Sequence, residues 1–178
     1  MDEPVVWTIG HSTRSIDEFV ALLAENGVRG VVDVRTMPRS RHTPQFNEDE
    51  FGRSLGEHGV AYRHLAALGG LRHTTKASVN TGWRNTSFRG YADYMQTSAF
   101  AAGLDELIGI ARETPTAIMC AEAVPWRCHR SLVGDALLVR DIRVVDIMGP
   151  GSTREETLTP FARVDRHAIT YPPEDEDA

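Results

Sequence analysis

Residues 120–130, CAEAVPWRCHR, hold the densest group of reactive side chains in the sequence: two thiols, a carboxylate, an imidazole and two guanidiniums. An apolar run, residues 116–119, leads straight into Cys120, and a helical stretch, residues 131–140, follows the loop. A thiol between a strand and a helix suits a cysteine nucleophile acting on a bound anion. Loop amides and the helix N-terminus stabilise both the thiolate and the ligand's charge. Arg127 and Arg130 add a planar cationic clamp for phosphate or sulfate. Glu122 either orients an arginine and serves as general base, or caps local amides and pairs with Arg127 or Arg130. The competing reading of Cys120 and Cys128 is that both are core residues, since cysteine is often simply buried.

The same segment suggests a metal site as a minor alternative. Cys120, Glu122, Cys128 and His129, with His11, are ligand types for zinc or iron. There is no paired CxxC, however, and the adjacent Cys128 and His129 are awkward to aim at one ion. No resident metal is assigned, and the cofactor is left open. A phosphatase-like cradle also differs, because Cys120 and Arg127 are one residue too far apart. The likeness is one of chemistry and layout only.

Two other strand ends carry polar groups. Residues 5–9, VVWTI, stop at Gly10 and are followed by His11 and Ser12, which can donate a proton and meet a ligand oxygen. Their alternative role is capping and local backbone bonding. Asp33, flanked by valines, needs a partner if buried, and Arg35 on the same strand face supplies one. The loop after it presents Arg35, Arg39, Ser40, Arg41 and His42, and Ser40 joins Arg35 as a candidate substrate-binding residue. Ligands of open parallel sheets gather beyond the carboxyl ends of strands, so these three segments can converge on one pocket.

Between Arg35 and Arg89 nine basic residues face four acidic ones, although the whole chain carries a formal charge of −6. Local potential matters more to a ligand than the total. Trp83, Phe88 and Tyr91 sit beside Arg84 and Arg89, a combination that stacks nucleic-acid bases when exposed and builds a core or lid when buried. Two cysteines are too few for a disulfide scaffold, so a reducing, cytoplasmic setting is expected. The start, MDEPVVWTIGHS, lacks the pattern of an export signal, and no run is long enough to span a membrane.

These residues need a frame. Ser15 and Glu18 form a capping box ahead of Phe19, Leu22 and Leu23, and Asn26-Gly27 is a fitting stop. With Val31, Val32 and Val34 as a second strand, this is a βαβ unit, which implies a parallel pair. Further helices are expected at 48–58, 91–95 and 99–112, a strand at 60–64 and a last strand at 144–147. Residues 65–87 are long enough for a lid or binding loop. The expected architecture is one α/β domain, residues 1–171, with a mostly parallel sheet covered by helices on both faces, and an acidic, disordered tail at 172–178.

The pieces TIGHS (Thr8–Ser12), DVR with Pro38 and Ser40, LGG (Leu68–Gly70), YADYM (Tyr91–Met95) and CAE…CHR occur in an order that resembles the uncharacterised bacterial and archaeal family called domain of unknown function 488. The resemblance implies a compact α/β domain and groups the motif residues in one site. It implies no particular reaction.

The leading reading is an enzyme acting on a small phosphorylated or otherwise anionic substrate. Cys120 or Cys128 is its thiolate, and His11, His129 or Glu122 handles protons. Arg35, Arg127 and Arg130 bind the anion, with Ser12 and Ser40 beside them. The alternative is a non-catalytic protein holding a nucleotide or nucleic acid on the basic stretch. No membrane partner is expected, and oligomeric state is left open.

Overall fold

The apolar runs at residues 5–9, 31–34 and 116–119 lie side by side in one sheet, apolar enough to be covered on both faces, and the more polar strand at 60–64 joins at an edge. The computed structural model describes residues 3–173. Its first half runs β1 (Val6–Gly10), α1 (Ile16–Glu25), β2 (Gly30–Asp33), α2 (Glu48–Glu57) and β3 (Ala61–His64). Then follow α3 (Thr86–Tyr94), α4 (Ser98–Glu113), β4 (Thr116–Cys120), α5 (Arg130–Leu138), β5 (Val144–Gly149) and β6 (Ser152–Glu155). A separate hairpin, β7 (Arg163–Asp165) and β8 (Ala168–Thr170), closes the described chain.

The six-stranded sheet has the order β3-β2-β4-β1-β5-β6, with every pair parallel except β5 and β6. Strand alternation divides its side chains between two cores. Val32, Val34, Ile118 and Cys120 face Phe88, Leu104 and Leu132 of α3, α4 and α5. Val31, Ala117 and Met119 face Phe19 and Leu23 of α1 and Phe51 and Leu55 of α2. The mostly parallel α/β domain expected from the sequence is the one found.

The capping box at Ser15 and Glu18 forms in both directions. The βαβ unit is looser than the sequence implies: β1 and β2 run parallel but do not pair, because β4 lies between them. Helix α3 begins at Thr86, not Tyr91, with Asn85 accepting from the Ser87 and Phe88 amides. The strand at 144–147 is not the last. β6, β7 and β8 follow it, and the sequence hides β6 and β7 because every residue in them is exposed and no apolar run marks them.

The long connection after β3 is tied down. Asp93 of α3 accepts hydrogen bonds from Thr74, Thr75, Ser78 and Asn80, and the Arg72 guanidinium lies 3.7 Å over the Tyr94 ring. Among the described residues no helix is long and apolar enough to cross a membrane. The acidic tail expected at 172–178 lies, from residue 174 onward, outside the described residues.

Candidate functional site

Because β4 is inserted between β1 and β2, the chain leaves all three strands at neighbouring points on one sheet edge. Gly10 is in register with Cys120, the His11 amide donates to the Cys120 carbonyl (2.9 Å), and the Val34 amide donates to the Met119 carbonyl (2.9 Å). Gly10 has to be glycine. A Cβ there would overlap the Glu122 carbonyl, so the loop after Cys120 passes directly over a bare backbone.

That loop returns Cys128 to Cys120. Their sulfurs are 2.7 Å apart, and both residues are free cysteines lining a pocket of about 390 Å³. Cys128 lies two residues before the start of α5, where its sulfur also accepts the Arg130 amide (3.5 Å). His129 fixes the other side. Its Nε2 lies 2.9 Å from the Val34 carbonyl, which can only accept, so Nε2 carries the hydrogen. Nδ1 is then a bare acceptor 3.5 Å from Cys128 Sγ. Burial holds the ring neutral, lowering its pKa to about 4. Gly70 of the LGG piece leaves room for this imidazole, which a Cβ would strike.

Arg130 lies beneath the two thiols and is fully buried. Nη1 donates to Cys120 Sγ (2.7 Å) and to the Glu122 carbonyl, Nε to Thr8 Oγ1 (3.2 Å), and Nη2 to the Ala123 carbonyl (3.3 Å). Burial alone pushes the Cys120 thiol up. The hydrogen bond from Cys128 and the charge of Arg130 outweigh it and bring the thiol down to about 7. Cys128 moves the other way, raised by its hydrogen bond to Cys120 and by burial. Of the two, Cys120 is therefore the more readily ionised sulfur, and Cys128 keeps its proton and donates it toward Cys120.

Behind Arg130 is a chain of polar groups for which the sequence reading assigned no role. Thr8 donates to Asp146, whose other oxygen is 2.9 Å from Arg154 Nη1. Glu156 is only 6% exposed, and its Oε2 has no hydrogen-bond partner among the described residues. It packs against Gly134 of α5, where a Cβ would collide with the carboxyl. Burial, with Asp146 and Asp135 close by, pushes its pKa up to about 9. Asp146 has the same sequence signature as Asp33, an acid set among valine and isoleucine in a strand.

The sequence candidates separate clearly. Cys120, Glu122, Arg127, Cys128, His129 and Arg35 line the one pocket. Arg35 is nearly buried, paired with Asp33 (2.7 Å) and bonded to the Phe46 carbonyl (2.6 Å). Its remaining arm, Nη1, meets His11 Nε2 at 3.3 Å. His11 stacks on Phe46 with centroids 4.3 Å apart, is held neutral chiefly by burial, and does not line the pocket. Ser12, at φ +47, and Ser40 are also outside the pocket lining, the Ser40 hydroxyl accepting from the His42 amide. The Glu122 carboxylate caps the Val124 amide (3.0 Å), while its carbonyl takes the bond from Arg130. Arg127 is exposed at the pocket.

Met37 and Leu71, which had no earlier role, line the pocket as exposed apolar side chains, and Phe88 lines it beside them. Of the two roles open to Trp83, Phe88 and Tyr91, the packing one is found: Phe88 is 9% exposed, Tyr91 is fully buried, and Trp83 packs against Phe88, Phe161 and Tyr171. Among the described residues no three His, Cys, Asp or Glu side chains are gathered as a metal site would need, so Cys120, Glu122, Cys128, His129 and His11 do not form one.

Fold and geometry together define an α/β protein with two thiols and a buried arginine at the carboxyl edge of a mostly parallel sheet. The chain belongs to the family described as Domain of unknown function DUF488, whose model matches residues 15–137. No curated protein and no solved structure matches it.

Proposed function

We propose that the protein is an enzyme that uses the Cys120 thiolate as nucleophile on a small anionic substrate held in the pocket. The observation carrying this reading is the 2.7 Å contact between Arg130 Nη1 and Cys120 Sγ. A guanidinium withdrawn from solvent beside a thiol at a pocket wall stabilises the ionised sulfur at neutral pH, and the thiolate is the reactive form. Arg130 spends its donors on the protein, so its part is to activate the sulfur. The exposed Arg127 is the group free to meet a substrate's charge at the pocket mouth. Met37, Leu71 and Phe88 suit an apolar body behind that charge. A nucleophile that depends on reduced thiols fits a cytoplasmic setting.

The test is iodoacetamide labelling of the intact chain with phenyl phosphate or benzoate added at constant ionic strength, the labelled cysteine being located by peptide mass. Cys120 should be modified first, and at least one of the two organic anions should protect it. Modification of neither cysteine in the folded chain, or no protection by either anion, contradicts the reading.

A further inference from the structure

A reaction that needs a single nucleophile uses the second thiol only as a hydrogen-bond donor to Cys120. Cys128 Sγ is 2.7 Å from Cys120 Sγ, only ~0.65 Å beyond the length of a disulfide bond, ~2.05 Å. Both residues line the same pocket. A sulfur so placed can attack Cys120 Sγ once that atom is bonded to a second sulfur, which then leaves. The Arg130 amide donates to this sulfur at 3.5 Å, and His129 Nδ1 lies 3.5 Å from it, placed to take the Cys128 proton once Cys120 is no longer its acceptor. The pocket wall around the thiols is mostly apolar, and Arg130 is turned inward. A highly charged reacting centre would find no clamp there, whereas a divalent sulfur needs none.

We infer that the Cys120–Cys128 pair carries out thiol–disulfide exchange on a low-molecular-weight organic disulfide, with Cys120 attacking and Cys128 resolving. This rests on the reading of Cys120 as the nucleophile and names its substrate class. The anionic group of that substrate lies toward Arg127, and its apolar body against Met37, Leu71 and Phe88.

In the first step the Cys120 thiolate forms a bond to one substrate sulfur. The substrate S–S bond breaks, and the other half leaves as a thiolate with the bonding electron pair. In the second step Cys128 gives up its proton and attacks Cys120 Sγ. The mixed disulfide breaks, and the remaining half departs as a thiolate that takes up that proton. The substrate gains two electrons and becomes two thiols, while the protein loses two and holds a Cys120–Cys128 disulfide. An external dithiol returns it to the starting state by the reverse exchange.

The probe is the symmetrical disulfide of thionitrobenzoate, an aromatic disulfide with carboxylates, added to the reduced full chain and followed by absorbance and intact mass. The wild-type chain should release two equivalents of thionitrobenzoate and end unlabelled, at the mass of the reduced chain less two hydrogens. Cys128→Ser should lose the second equivalent and retain one label on Cys120. A wild-type chain labelled on both cysteines, or one that keeps a single label, overturns the exchange reaction. If Cys120 is still the cysteine that iodoacetamide modifies first, the nucleophile reading survives that outcome. If neither reagent reaches Cys120, both readings fall together.

Discussion

Arg130 and Cys120 are ten positions apart in sequence, yet the guanidinium lies 2.7 Å from the sulfur and is fixed there by Thr8 and two loop carbonyls. The arginine therefore both adds, beside the Cys128 hydrogen bond, to the lowering of the thiol's pKa and ties the loop in place. Replacing it with Met, similar in length and uncharged, removes both functions. Arg130→Met should slow Cys120 alkylation at pH 7 by about tenfold, as the thiol returns toward its ordinary pKa. It should also cost about 2–4 kcal/mol of stability, because the Glu122 and Ala123 carbonyls lose a buried donor. Alkylation kinetics with urea unfolding on the same samples would check both.

Gly10 tests the loop independently of charge. Gly10→Ala forces a methyl group into the Glu122 carbonyl, the acceptor that holds Arg130. The variant should be destabilised by about 1–3 kcal/mol, the range for an overpacked site. In the fraction that remains folded, Cys120 should alkylate more slowly at pH 7 than in the wild type. Normal reactivity in a destabilised Gly10→Ala protein would separate the loop from thiol activation.

Asp33 and Arg35 form the pair that anchors the pocket's other wall. Asp33→Asn leaves a nearly buried guanidinium without its counter-charge and should cost about 3–5 kcal/mol in a urea titration. Tyr62, which donates to the same carboxylate, competes with Arg35 for the single acceptor oxygen left in that variant.

Glu156 makes a prediction about pH. Its folded pKa is raised to about 9 by burial and by Asp146 and Asp135, whereas in the unfolded chain it ionises near 4.5. The folded state thus keeps a proton that the unfolded state releases, and this group's contribution falls as pH rises from about 4.5 toward about 9. Glu156→Gln removes the titration. Relative to wild type it should gain on the order of 1–3 kcal/mol at pH 8 and almost nothing at pH 5. Urea midpoints at the two pH values measure the difference.

Much of this arrangement was legible in the sequence for definite reasons. Strand ends carrying His11, Arg35 and Cys120 each follow an apolar run, and burial of Asp33 among valines demanded a cation, which Arg35 supplies. The division of labour around Cys120 was not legible. Arg127 and Arg130 differ only in position, yet one is exposed and the other fully buried, because α5 starts at Arg130 and carries it under the loop. Met37 and Leu71 looked like ordinary loop residues, since only the three-dimensional return of residues 65–87 brings Leu71 to the pocket beside Met37 of the loop after β2. The order of the sheet was hidden as well. The strand between β1 and β2 comes from the far half of the chain, and no local periodicity reports that insertion.

The most direct measurement is the pH dependence of iodoacetamide modification at Cys120 in the folded wild-type chain. The rate should rise to a plateau with a midpoint near pH 7, with Cys128 unreactive across the same range. A midpoint at the ordinary cysteine value of about 8.5, or Cys128 reacting ahead of Cys120, would contradict a thiolate held by Arg130.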